Sequence, residues 1–147
     1  MADLTFKVSA KSENATKTVV ATRGFQLIVD EPESLGGTDQ GATPVEYMLA
    51  ALAGCLNVVG HLVAREMGFQ LRGLELALEG NLNPAKFAGK SEQERAGYKE
   101  IRVELRPETD ADQDTLNQWL EIVEARCPVS DNFSNATPVR ISVKKTI

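Results

Sequence analysis

The chain has 147 residues, 42% of them hydrophobic and 25% charged, and a net charge of -5. That length suits one domain with a real core rather than two, and the composition excludes a disordered chain. The acidic balance argues against a nucleic-acid backbone as partner, since such proteins present a basic face.

In chain order, Leu4 to Val8 alternates apolar and polar residues, which predicts a strand. Ser12 to Ala15 is polar and predicts a turn. Thr18 to Ala21 and Phe25 to Val29 read as two further strands around Arg23-Gly24. Pro32 ends the extended run, and Ser34 to Gly41 is a glycine-marked loop. No Lys-Ser or Lys-Thr follows Gly41, so the loop is not a phosphate cradle. Its glycines suit positive φ or a close backbone approach.

Thr43-Pro44-Val45-Glu46 is a helix start. Thr43 can cap, Pro44 fills the first helical position, and Glu46 can reach back to the cap amide. The helix is expected to run to Glu66 or Met67 and stop at Gly68. Its stretch from Val45 to Val63 matches a membrane span in length, but it holds Glu46, Asn57 and His61, so a buried helix explains it better. The small residues Ala50, Ala51, Ala53 and Gly54 would let another element approach closely.

Leu74, Leu76 and Leu78 place a strand over Leu71 to Glu79. Residues 81–98 form a long loop or hold a short helix near Ser91 to Arg95. Glu100 to Arg106 alternates again and should end at Pro107. A second helix is expected from Ala111 to Arg126, with Leu116, Leu120, Val123 and Cys127 at helical spacing and Trp119 beside them. Pro128 ends it or begins a new short turn. Val139, Ile141 and Val143 would form a closing strand. Helices packed on alternating strands make this an α+β domain spanning residues 1–147. The first helix has more apolar surface than one sheet face needs, which suggests a homodimer.

Two cysteines stand out. Cys55 lies inside the apolar helix and Cys127 where the second helix meets Pro128. Each can be a packed core thiol, or the two can meet and cycle between dithiol and disulfide. His61 is six residues past Cys55, about 240° around the helix, so no local Cys-His dyad forms. Two cysteines and one histidine do not make a structural zinc site. Met1-Ala2-Asp3 lacks the basic start of a secretory signal, and so few cysteines do not make a disulfide framework, so a cytoplasmic location is expected.

The run Pro44-Val45-Glu46-Tyr47-Met48-Leu49-Ala50-Ala51-Leu52-Ala53-Gly54-Cys55 resembles the first cysteine motif of the OsmC/Ohr family, the osmotically inducible and organic-hydroperoxide-resistance proteins. Arg126-Cys127-Pro128-Val129-Ser130 resembles the second. Leu35-Gly36-Gly37, Glu79-Gly80-Asn81-Leu82-Asn83-Pro84 and Ala96-Gly97-Tyr98-Lys99-Glu100-Ile101 are also similar to family text.

The resemblance implies an OsmC-like α+β fold, with antiparallel sheets around two central helices in an intertwined homodimer. It also implies a thiol-dependent peroxidase for small organic hydroperoxides, without cofactor or metal. Cys55 would be the nucleophile, Cys127 the resolving thiol, and an external dithiol the reductant. A thiolate inside a helix needs a positive neighbour, and an arginine held by a carboxylate supplies one. Arg23 is the only arginine before the cysteine helix, and Glu46 resembles an acidic residue of the osmotically inducible branch; Glu46 also fits a purely structural capping role. Val45 stands where peroxidase members carry a carboxylate. The alternative reading is therefore a non-catalytic dimer that binds a small apolar molecule in the same cleft, with Trp119 and Tyr47 as lining candidates.

Overall fold

In the computed structural model, which describes residues 1–146, the chain forms two compact units, one of Met1–Ala50 and one from Ala51 onward. The first is an antiparallel three-stranded sheet, β1 (Ser9–Ser12), β2 (Thr18–Thr22) and β3 (Phe25–Val29), in that order. Asn14 closes the first turn by accepting the Thr16 and Lys17 amides at 2.9 and 2.6 Å. Arg23, at φ 53°, makes the second.

A loop leads from β3 to the long helix α1 (Pro44–Met67) and contains one 3-10 turn, Glu33–Leu35. Its organiser is Asp30, which is fully buried. The Asp30 carboxylate accepts from the Glu31 N–H at 2.8 Å, the Thr38 hydroxyl at 2.5 Å and the Gln40 N–H at 3.1 Å. The loop backbone closes on itself, since the Asp39 N–H donates to the Glu31 carbonyl and the Asp30 N–H to the Ala42 carbonyl. Gly37 is the price of that closure: a Cβ there would sit 1.8 Å from the Glu31 carbonyl oxygen. The loop glycines thus serve close backbone approach and, at Gly36, a φ of 83°.

The hydrogen bonds to Asp30, chiefly that from Thr38, favour its ionised form and hold its pKa well below the ordinary 3.8. A carboxylate depressed on folding adds stability that is fully present above its unfolded pKa and is lost as pH falls through the folded value. Asp30→Asn should lower the melting temperature at pH 7 by roughly 5 °C, and the gap should narrow steadily below pH 4. Thermal melts of both proteins across pH 2.5–7 check this; a gap independent of pH would show that the charge contributes nothing.

The capping box at the start of α1 forms as its sequence implies. The Thr43 N–H donates to Glu46 Oε2 at 2.7 Å, and the Glu46 N–H to Thr43 Oγ1 at 3.3 Å. At the other end Gly68, at φ 80°, lets the Phe69 N–H reach back to the Ala64 carbonyl.

In the second unit β4 (Gly73–Asn81) pairs antiparallel with β5 (Glu100–Glu108). Then follow α2 (Gln113–Arg126) and α3 (Pro128–Ser134). The core consists of Leu52, Leu56, Val59, Val63 and Ala64 of α1, Trp119 and Val123 of α2, and Cys127. By length and composition alone α1 could cross a bilayer. Its packed face is nevertheless the centre of this core.

Several elements differ from the sequence expectation. Leu4 to Val8 forms no strand; pairing starts at Ser9, and Leu4, Phe6 and Val8 stay exposed. Val139, Ile141 and Val143 likewise form no closing strand and are at least 78% exposed. Neither segment pairs with a strand of this chain. Pro107 does not end β5, which continues to Glu108 with Pro107 opposite Leu74. A two-stranded sheet has only edge strands, where the missing N–H is tolerated. Residues 81–98 hold turns and no helix.

Candidate active site

The second unit brings the two cysteines together although 72 residues separate them. Cys55 occupies the face of α1 that packs on the core, between Leu52 and Leu56. Cys127 is placed by two neighbouring contacts. One turn from the end of α2, Val123 is fully buried. Next to Cys127, Arg126 reaches Glu66 of α1 with two hydrogen bonds, at 2.5 and 3.3 Å. The pairing favours the ionised carboxylate, so the Glu66 pKa is lowered.

Farther up α2, Trp119 is 2% exposed and its indole N–H donates to the Gly60 carbonyl at 2.8 Å. Gly60 makes room for it: a Cβ there would stand 3.0 Å from the indole ring. The small residues that matter for close packing are therefore not those singled out in the sequence. Gly54 has no neighbour near its would-be Cβ, and Ala51 is exposed. Phe69 meets the Trp119 ring edge-on, with centroids 6.4 Å apart. Leu120, expected in the buried stripe, is 39% exposed, and Trp119 takes its place.

The two sulfurs lie 3.0 Å apart as free thiols. A disulfide bond is about 2.05 Å long, so about 1 Å of approach would close it. Cys127 is buried and Cys55 partly exposed, so a reagent from solvent meets Cys55 first. The Cys-Pro step makes Cys127 the cap of α3, with the Ser130 N–H donating to its Sγ at 3.4 Å. The Val129 amide, in the first turn of α3, favours the Cys55 thiolate. Sequence reasoning missed these two amides; the signal was Pro128, which starts a helix directly after Cys127 and aims its first N–H groups backwards.

Burial pushes the Cys55 thiol above its ordinary range, and the Cys127 sulfur adds to the rise. The Val129 amide acts the other way. In this arrangement the thiolate form of Cys55 is disfavoured.

The other candidates have definite places. Glu46 spends one carboxylate oxygen on the α1 cap. Arg23 projects from the β2–β3 turn with its guanidinium 5.0 Å from the Phe25 ring centroid. Both belong to the first unit, whereas the cysteines belong to the second. His61 is exposed and its ring Nδ1 contacts the Asn57 carbonyl.

A groove of about 380 Å³ opens between α1, β5 and α2, with Leu52, Leu56, Leu105, Leu116, Trp119 and Leu120 among its walls. Ser130, whose N–H donates to Cys127 Sγ, is also among its walls. Trp119 lines this groove as expected. Tyr47 does not; its hydroxyl donates to the Ile28 carbonyl at 2.7 Å.

Residues 37–142 match the family model described as OsmC-like protein. No functionally curated protein matches the chain. Among solved structures, an OsmC-like protein of Mycoplasma pneumoniae superposes with TM-score 0.79 at 18% identity, covering 90% of this chain and 89% of the other. An organic hydroperoxide resistance protein OsmC of Legionella pneumophila gives 0.64 at 18% identity, with 89% and 90% covered. An organic hydroperoxide resistance protein of Elizabethkingia anophelis gives 0.64 at 18% identity, with 88% of each chain covered. At such identities the superpositions establish the fold, while the sequence match extends over most of the chain and takes in both cysteines: the chain belongs to the OsmC-like protein family.

Proposed function

We propose that this protein is a thiol-dependent peroxidase that reduces small organic hydroperoxides. The observation that carries the reading is the pair of free thiols 3.0 Å apart, one buried and one reachable. In the first step the Cys55 thiolate attacks the outer peroxide oxygen. The O–O bond breaks, Cys55 becomes a sulfenic acid, and the alkoxide leaves as alcohol after taking a proton. In the second, the Cys127 sulfur attacks the Cys55 sulfur, forming the disulfide and releasing water. An external dithiol then takes over the disulfide by exchange, restoring both thiols and ending oxidised itself.

The Cys55 thiol is raised at rest, so the first step needs a cation. The reading assigns that role to Arg23, oriented by Glu46. The apolar groove would receive the organic part of the peroxide. The family match, residues 37–142, crosses the boundary of the two units, and a solved structure superposes over 90% of the chain, which supports treating it as one domain. Free thiols fit the reducing cytoplasm.

The working form in this reading is a homodimer. Leu4, Phe6 and Val8 at one end, and Val139, Ile141 and Val143 at the other, alternate as strands do yet lie exposed and unpaired in a single chain. A second copy supplies the missing edges.

One experiment tests both parts. Cumene hydroperoxide in stoichiometric amount should remove both thiols per chain and form an intrachain Cys55–Cys127 disulfide, found by peptide mapping, in a protein that sediments as a dimer. Thiols left intact would exclude the peroxidase and favour the apolar-ligand binder. Sedimentation as a monomer at micromolar concentration would exclude the dimer.

A further inference from the structure

Two thiol sulfurs held 3.0 Å apart are the jaws of a chelate as well as a redox pair. What fits between them is decided by the angle at the bridging atom. With bonds to sulfur of about 2.3 Å, a tetrahedral ion such as zinc spreads two sulfurs to about 3.8 Å. A linear two-coordinate ion with the same bonds spreads them to about 4.6 Å. The 3.0 Å bite asks for an angle of about 80°. Trivalent arsenic comes close, because its three bonds stand near right angles and a lone pair takes the fourth side. Right-angled bonds of that length need a bite of about 3.3 Å, a few tenths of an ångström from the resting spacing. The ligand count points the same way. Among the described residues, no histidine, carboxylate or third cysteine joins the pair to make a metal-ion cluster. Zinc wants four ligands and is left two short. A trivalent arsenic that already carries one organic group needs only two, and both are soft sulfurs.

The geometry points to the Cys55–Cys127 dithiol as a chelating site for monosubstituted trivalent arsenicals, the aryl- and alkylarsenous acids. The site belongs to the resting dithiol and requires no peroxide chemistry. Each S–H proton leaves with one arsenic-bound hydroxyl as water, so two As–S bonds replace two As–O bonds and nothing is oxidised or reduced. Metal ions require their cysteine ligands deprotonated, and burial disfavours that at Cys55. The arsenous acid instead condenses with the protonated thiols and leaves a neutral product, which burial tolerates. Cys55 is partly exposed and bonds first; buried Cys127 then closes the ring. The Ser130 N–H keeps its acceptor, since an arsenic-bound sulfur retains lone pairs. With 72 residues between the cysteines, only the folded chain holds both thiols ready, so binding is linked to folding.

Phenylarsine oxide, which hydrates to phenylarsenous acid, is the probe, added to protein reduced beforehand and freed of reductant. Native mass spectrometry should find one phenylarsenic group per chain, and thiol titration should lose both cysteines together at one equivalent. Excess 2-mercaptoethanol should leave the group in place, whereas 2,3-dimercaptopropanol should remove it. Cys55→Ser and Cys127→Ser should each bind about a hundredfold more weakly and release the group to the monothiol. In the wild type, with no variant needed, the complex should melt about 5 °C or more above the free protein. About a tenfold excess of zinc ion should not slow the uptake.

An arsenical that the monothiol strips from the wild type, that binds either serine variant equally well, or that leaves the wild-type melting temperature unchanged overturns the inference. Competition by zinc overturns it too, because the bite would then not select. The peroxidase reading fails separately. Thiols that hold the arsenical but resist cumene hydroperoxide exclude the peroxidase and leave the chelate standing. Thiols that peroxide joins in a disulfide, but that yield the arsenical to a monothiol, do the reverse.

Discussion

On the proposed peroxidase reading, Cys55→Ser should remove hydroperoxide reduction altogether, with kcat/KM for cumene hydroperoxide falling on the order of a thousandfold or more to the background of free dithiothreitol. Serine is close in size to cysteine, and the site is only partly buried, so the fold survives. Cys127→Ser gives a different phenotype. Ser130 still finds an oxygen to cap α3, because serine is a preferred cap. The first peroxide equivalent should still be consumed, but Cys55 should then halt as sulfenic acid or climb to sulfinic acid under excess peroxide. Arg23→Ala belongs to the same series. If Arg23 supplies the charge that offsets burial of the thiolate, its loss lowers kcat/KM by about a hundredfold, and the pH at which Cys55 becomes alkylable rises. Steady-state rates, single-turnover mass spectra and alkylation pH profiles distinguish the three. Turnover by Cys55→Ser at the wild-type rate would end the peroxidase assignment. An unshifted alkylation profile in Arg23→Ala would remove Arg23 alone.

The parts of this site that depend on local chemistry were legible in the sequence. The cap of α1 is written in three residues, Thr43, Pro44 and Glu46, whose interactions span a single turn. The α2 stripe was legible as a stripe, but periodicity chose Leu120 for it with Trp119 beside, whereas the structure buries Trp119 instead. That choice is made by Gly60, 59 residues away, which leaves a notch the indole fills. The cysteine pairing was legible only through the family motifs, since spacing says nothing about contact over 72 residues. Asp30 was missed because its partners, Thr38 and the amides of Glu31 and Gln40, are ordinary loop residues until the chain closes. The terminal alternation was read correctly as apolar patterning and wrongly as strands of the single chain. A pattern states which face wants burial; it does not say whose edge provides it.

Trp119→Ala should be the most damaging change outside the cysteines, costing about 3–5 kcal/mol of folding stability. The side chain is 2% exposed and bridges three elements: it fills the notch at Gly60 on α1, meets Phe69 edge-on and walls the groove. Truncation leaves a cavity in a core whose other fully packed members are mostly smaller aliphatics, so collapse recovers little. The consequence reaches the chemistry. Cys127 caps the C-terminal end of the same helix, so the way α2 lies on α1 should help set its distance to Cys55. A looser α2 should therefore slow disulfide closure more than it slows the first attack on peroxide. Trp119→Phe separates the two contributions: it keeps most of the volume and loses only the bond to the Gly60 carbonyl, which should cost about 1 kcal/mol. Urea unfolding gives the stabilities, and rapid-quench trapping of sulfenic acid against disulfide gives the two rates. If Trp119→Ala unfolds at the wild-type midpoint, the packing described here does not hold the dithiol together. If it unfolds early but closes the disulfide at the wild-type rate, the sulfurs are positioned by Arg126–Glu66 and the α3 cap rather than by the seat of α2.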